Sequence, residues 1–147
     1  MYWNGKDIEI FTAQKEFIDT AIVPLTKLSG ALDQIKQSAS SAEFLMSLTA
    51  FVEQQFKGRI VMLPPLLYTA AMNQADLLEK IHEELQVAGF KYIFFMTTDH
   101  SWTSLNDLYD LLWLPSIPLE SMDQKMKQAV LGDQLRQIIP ILSQKWR

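Results

Sequence analysis

Apolar residues along this chain follow two patterns: short unbroken runs and longer stretches at helical spacing. The clearest run is Tyr92–Met96, aromatic and β-branched almost throughout, with Gly89 before it and Thr97-Thr98-Asp99 after it. A run this short without polar alternation predicts a strand buried on both faces, as at the centre of a parallel sheet. Phe17–Leu25 and Arg59–Leu63 read in the same way. Proline has no N–H to give a ladder, so Pro24 is expected at the end of the first strand, and Pro64-Pro65 should stop the second.

Between the runs the period changes to that of a helix. Asn4 with Asp7 caps a short first helix carrying Ile8 and Phe11. Thr26 to Ser40 is polar and ambiguous; Ser40 with Glu43 then predicts a helix bearing Phe44, Leu45, Leu48, Phe51, Val52 and Phe56, with Gly58 just past its end. Asn73 and Asp76 open another, striped by Leu77, Leu78, Ile81, Leu85 and Ala88 and stopped by Gly89. Helix, glycine, short gap and apolar strand therefore occur twice, which specifies parallel strands joined by helical crossovers.

After the third strand, Ser104 with Asp107 predicts a short helix through Leu105, Leu108 and Leu112. Ser116–Leu119, beside Pro115 and containing Pro118, is expected as a fourth, edge strand. Ser121 with Gln124 opens a long C-terminal helical region that Gly132 and Pro140 should bend or split. The prediction is a single α/β domain over residues 1–147, a three-layer αβα sandwich on a small, mainly parallel sheet of 3–4 strands. It is Rossmann-like or flavodoxin-like, with strand order 2-1-3-4 expected and 3-2-1-4 as the rival.

Composition narrows the chemistry. The 147 residues include no cysteine, which removes thiol redox chemistry, iron–sulfur clusters and cysteine-ligated zinc. A net charge of −4 with mixed signs disfavours nucleic acid, which demands a basic footprint. The longest charge-free stretch, Ile60–Ala75, is broken by Pro64-Pro65 and Asn73, so no membrane span is expected. The N-terminus meets Asp7 and Glu9 before any apolar run and does not read as a signal peptide, so a cytoplasmic location is expected.

Candidate chemistry then concentrates past the carboxyl ends of the predicted strands, where open α/β sheets form their crevice. Those positions are Thr26-Lys27, Pro65 to Tyr68 and Thr97 to His100, with Glu120 and Ser121 joining if a fourth strand precedes them. Lys27 is a candidate anion anchor, and Tyr68, Thr97 and Thr98 are candidate ligand-binding residues. Asp99-His100 are the catalytic candidates, a carboxylate able to orient an imidazole base; the competing reading makes Asp99 a cap and His100 a surface residue.

Other features are weaker. No GxGxxG or GxxxxGK[ST] loop is present, so no nucleotide cofactor is expected; Lys27-Leu28-Ser29-Gly30 reads better as an ordinary turn than as a phosphate nest. Around His82, IHEEL lacks the second histidine of a zincin, and with no other ligand spacing no metal is expected; His82 should be solvated. Asp19 inside the first strand either faces a pocket or, preferably, is satisfied structurally near the strand's start. Trp102 and Trp113 read as core or rim packing, or as a partner-binding patch.

The segments YWNGKDIEIF, EFIDTAIVPL, FKGRIVMLPPLLY and KYIFFMTTD together resemble the YpiF-like family of uncharacterised proteins from Bacillus-type bacteria. The resemblance runs along most of the chain and implies a cytoplasmic, single-domain α/β protein of a Gram-positive bacterium, with a hint of an accessory role in respiration. It brings no catalytic residues to any position. The expected function is a non-catalytic binding or accessory protein acting through protein contacts. The alternative is a small-molecule enzyme or sensor using the crevice.

Overall fold

Alternation along the strands builds two separate cores. The computed structural model describes residues 1–147 and contains five strands and four helices. In chain order these are α1 (Gly5–Ala13), β1 (Thr20–Lys27), α2 (Ile35–Gln55), β2 (Ile60–Met62), β3 (Leu66–Tyr68), α3 (Gln74–Ala88), β4 (Tyr92–Thr97), β5 (Asp110–Trp113) and α4 (Gln124–Trp146), with a 3-10 segment at His100–Leu105. Ile22, Met62, Phe94, Met96 and Leu112 point to one face and meet Phe44, Leu45 and Leu48 of α2 and Leu131, Ile138 and Leu142 of α4. Ala21, Val23, Leu25, Val61, Ile93 and Phe95 point to the other and meet Phe11 of α1, Leu78 and Leu85 of α3, and Trp102. The unbroken apolar run in β4 thus divides residue by residue between two helical layers, as expected of a doubly covered parallel strand.

The sheet has order β2-β1-β4-β5 and every pairing is parallel. In terms of the main strands this is the expected 2-1-3-4, but with five strands rather than three or four. The additional strand is β3, which pairs with β1 beyond the end of β2. That arrangement explains Pro24, which lies inside β1 and not at its end. Pro24 shares its parity with Ile22, whose carbonyl accepts the Leu63 N–H on the β2 side. Its missing donor therefore falls opposite the break between Met62 and Leu66, where Pro64-Pro65 interrupts the neighbouring strand and no ladder bond is lost.

Further expectations are corrected. The helix predicted from Ser40 begins at Ile35, wound on from a turn in which the Ile35 N–H donates to the Ala31 carbonyl; Ser40 lies within α2 and its hydroxyl donates to Glu120. Leu112 belongs to β5, not to a helix: Leu105 and Leu108 share its helical spacing, but Leu108 is exposed while Leu112 fills the sheet core. Ser116–Leu119 consequently carries no strand, and the edge belongs to Asp110–Trp113. Finally, Asp123 and not Ser121 caps α4, accepting the Met126 N–H at 2.8 Å, and α4 runs unsplit through Gly132 and Pro140. Pro140 withholds a donor from the Arg136 carbonyl, and both residues lie on the exposed side of α4.

At the amino end of the sheet, Asp19 is satisfied structurally. Arg59 donates to both its oxygens, at 3.1 and 3.2 Å, and the Thr20 hydroxyl donates to Oδ1 at 2.8 Å. The Trp146 indole donates to that same hydroxyl at 2.8 Å, and the Arg59 guanidinium lies 4.0 Å from the Trp146 ring centroid. His82 is not fully solvated: it is half-buried, with its ring 5.4 Å from that of Tyr109, edge to face. No helix is long and apolar enough to cross a membrane.

Candidate functional site at the sheet switch point

β1 and β4 are neighbours whose chains leave in opposite directions, β1 towards β2 by way of α2 and β4 towards β5. At such a switch point the outgoing segments diverge and leave a crevice at the strand carboxyl ends. A cleft of about 380 Å³ opens there, lined by Leu25, Thr26 and Lys27 from β1, Thr98 and Asp99 past β4, and polar side chains of α2 and the turn before it, including Asp33, Gln34, Gln37 and Ser38. A second cleft of about 230 Å³ lies beside it, bounded by Tyr68, Gln74 and Ser101. Lys27 and Asp99 border both.

Asp99 is held from two directions. It caps the 3-10 segment by accepting the Ser101 N–H at 3.0 Å on Oδ1, and it accepts the Tyr68 hydroxyl at 2.7 Å on Oδ2. Tyr68 in turn accepts the indole N–H of fully buried Trp102 at 2.7 Å. Burial by itself raises the Asp99 pKa, but the Tyr68 and Ser101 hydrogen bonds, with the Lys27 charge, outweigh it and hold the carboxyl below its usual range. The Tyr68 phenol is pushed far up, first by burial and then by its bond to Asp99. Asp99 is therefore a fixed anion and Tyr68 a fixed neutral donor.

The remaining candidates divide. Lys27 is exposed at the mouth of both clefts and takes part in no ion pair. Thr98 lines the larger cleft. Thr97 is fully buried and lines neither; its hydroxyl accepts the Asp99 N–H at 3.0 Å and so braces the turn. His100 also lines neither cleft: its ring packs edge-on against Trp113, centroids 5.0 Å apart, and makes no hydrogen bond to Asp99. The residues after Lys27 form a turn closed by Ser38, whose hydroxyl donates to the Lys27 carbonyl at 2.8 Å and accepts the Ser29 N–H at 3.1 Å.

The first turns of α2 are what sequence reasoning missed. Gln34, Gln37, Ser38 and Ser41 recur at helical spacing and give that helix one polar stripe, which lines the cleft. The stripe was visible, but only the position of α2 over the end of β1 gives it meaning. The lining combines one cation, carboxylate oxygens, hydroxyls and amides with three apolar residues, Leu25, Ala42 and Leu45.

A family profile described as a protein of unknown function, DUF2487, matches residues 9–146. The chain belongs to the DUF2487 family. It is also 30% identical to the uncharacterised protein YpiF of Bacillus subtilis strain 168, an alignment covering 99% of this chain and 98% of the relative. That relationship agrees with the family resemblance of the four segments. No solved structure matches this DUF2487 chain.

Proposed function

We propose that residues 1–147 act as one cytoplasmic domain and that the protein is a non-catalytic binding protein whose ligand, a small polar molecule, occupies the switch-point crevice. Lys27, Thr98 and Asp99 contact the ligand, while Tyr68 and Thr97 hold Asp99 in position. One observation carries this reading: an unpaired lysine and an anchored carboxylate border a polar cleft of about 380 Å³ where the strand ends diverge. The binding function needs no role for His100, which is engaged with Trp113.

A thermal-shift screen against metabolites tests it, because a ligand that binds only the folded protein raises the melting temperature. A responding compound should lose its effect in Lys27→Met and in Asp99→Asn. A shift that survives both substitutions moves the binding site elsewhere and ends the proposal.

A second reading, an accessory protein working through protein contacts, is favoured by Leu28, Leu32 and Ile35. These apolar side chains are exposed, Leu32 at 96%, and alternate in sequence with the residues lining the cleft. Leu32→Ser leaves stability unaltered on either reading, but abolishes capture of a protein from native lysate only on the second.

A further inference from the structure

We infer that the crevice takes a zwitterion, specifically an α-amino acid, with its carboxylate at Lys27, its ammonium at Asp99, and a neutral or basic polar side chain among Gln34, Gln37 and Asp33. The inference rests on the crevice reading above and names the ligand class of that site.

Register brings the two charges to one sheet edge. Leu25 of β1 pairs with Thr97, the last residue of β4; Lys27 lies two residues further along β1, and Asp99 two residues past Thr97, as the cap of the 3-10 segment. Opposed charges so placed ordinarily close on each other, yet no Lys27–Asp99 ion pair forms. Each keeps capacity for a ligand. The lysine retains its three donors, and Asp99 has used one acceptor position on each oxygen for Tyr68 and Ser101, leaving further lone pairs free. An α-amino acid bears an ammonium and a carboxylate on the same Cα, complementary to an anion and a cation that border one cleft.

The rest of the lining excludes the competitors. One lysine against Asp33 and Asp99 leaves the cleft net negative, so a phosphate ester or a dicarboxylate would set excess negative charge beside two carboxylates. A simple amine would leave Lys27 unmatched, and an apolar ligand would desolvate hydroxyls and amides without replacing their hydrogen bonds. Thr26, of this same lining, has a buried hydroxyl oxygen with no partner within the protein.

The test titrates the full chain with each standard L-α-amino acid by thermal shift and calorimetry. For any that responds, its des-amino carboxylic acid and its decarboxylated amine follow, with inorganic phosphate alongside. The expected result is a rise of roughly 5–10 °C at about a hundredfold excess over Kd. Both single-charge analogues should bind at least about tenfold more weakly, a difference near 1.4 kcal/mol. Lys27→Met should abolish the response while its unliganded melting temperature stays at the wild-type value. Asp99→Asn, which retains the cap and the size, should also abolish the response, from a somewhat lower unliganded melting temperature, with circular dichroism confirming the fold.

If phosphate or the des-amino acid binds as well as the amino acid, or if only some other metabolite gives a Lys27-dependent shift, the zwitterion is wrong and the crevice reading survives. An amino-acid response that persists in Lys27→Met, or no response to any compound, removes both.

Discussion

The two ends of β1 solve the same problem in opposite ways. At the amino end, Asp19, Thr20, Arg59 and Trp146 satisfy one another: the carboxylate receives three donors, the tryptophan N–H finds the threonine, and the guanidinium covers the indole ring. At the carboxyl end, Asp99 is anchored just as firmly by Tyr68 and Ser101, yet its nearest cation remains unpaired and the space between them is open. A closed polar cluster contributes stability and tolerates no ligand. An anchored cluster with unused hydrogen-bonding capacity holds its geometry for something else, which is how preorganised sites are built.

The comparison is broken most forcefully by Trp146→Ala. That substitution removes the indole donor, the face on which Arg59 lies, and an edge contact to Phe56 with centroids 5.2 Å apart. Urea denaturation should show a loss of about 3 kcal/mol, the low end for truncating a tryptophan because this ring is only partly buried. A loss under about 1 kcal/mol would mean that the amino end is not a clasp at all.

Tyr68→Phe acts at the other end with a smaller effect. It strands the buried Trp102 N–H and takes one of two donors from Asp99, so the expected loss is about 1–3 kcal/mol. A double-mutant cycle with Asp99→Asn isolates the shared term, expected at about 1 kcal/mol; additive effects would show that the phenol does not hold the carboxylate.

Asp99 also gives the carboxyl end a pH signature. Its folded pKa lies below the value of about 3.9 ordinary for an unfolded aspartate, so the native state favours the charged form. The stabilisation is present above about pH 4 and is lost as pH falls through the folded value. Tyr68 has the opposite sense. With its pKa raised on folding, it favours the neutral phenol, and its contribution fades only as pH rises beyond about 10. Chemical denaturation across pH 2–6 should therefore show a steeper acid limb for the wild type than for Asp99→Asn. Parallel limbs would remove Asp99 from the account.

Most of the scaffold was legible because burial on two faces leaves a direct mark on sequence. Tyr92–Met96 reads as a central strand with no knowledge of its neighbours, and Asn4, Asn73 and Gly89 mark helix ends through local backbone chemistry, whereas Gly58 lies two residues past the Phe56 cap of α2. The failures share a cause. Pro24 looks terminal because the break in the opposing strand that tolerates it lies some forty residues away. Leu112 has helical spacing to Leu105 and Leu108, and only pairing with Met96 makes it a strand residue. For the candidate site, Lys27, Thr98 and Asp99 follow from the rule about strand carboxyl ends, whereas Thr97 and His100 lie at such ends yet turn away from the cleft. Position along the chain predicts which strand end a residue occupies; side-chain direction depends on partners such as Trp113 that sequence does not announce.

The smallest expected effect sharpens the contrast most. Arg59 and Lys27 are both cations near an aspartate, one at each end of β1. Arg59→Met strips Asp19 of two donors in a partly buried setting and uncovers Trp146, so it should cost about 1–3 kcal/mol. Lys27→Met removes an exposed charge that pairs with nothing, and the change should stay within about 0.5 kcal/mol. Its one structural influence, the electrostatic help it gives the ionised Asp99, should appear only as a slightly shallower acid limb. If Lys27→Met instead destabilises as much as Arg59→Met, the lysine is a structural partner of Asp99, the carboxyl end is as closed as the amino end, and the free hydrogen-bonding capacity on which ligand recognition depends does not exist.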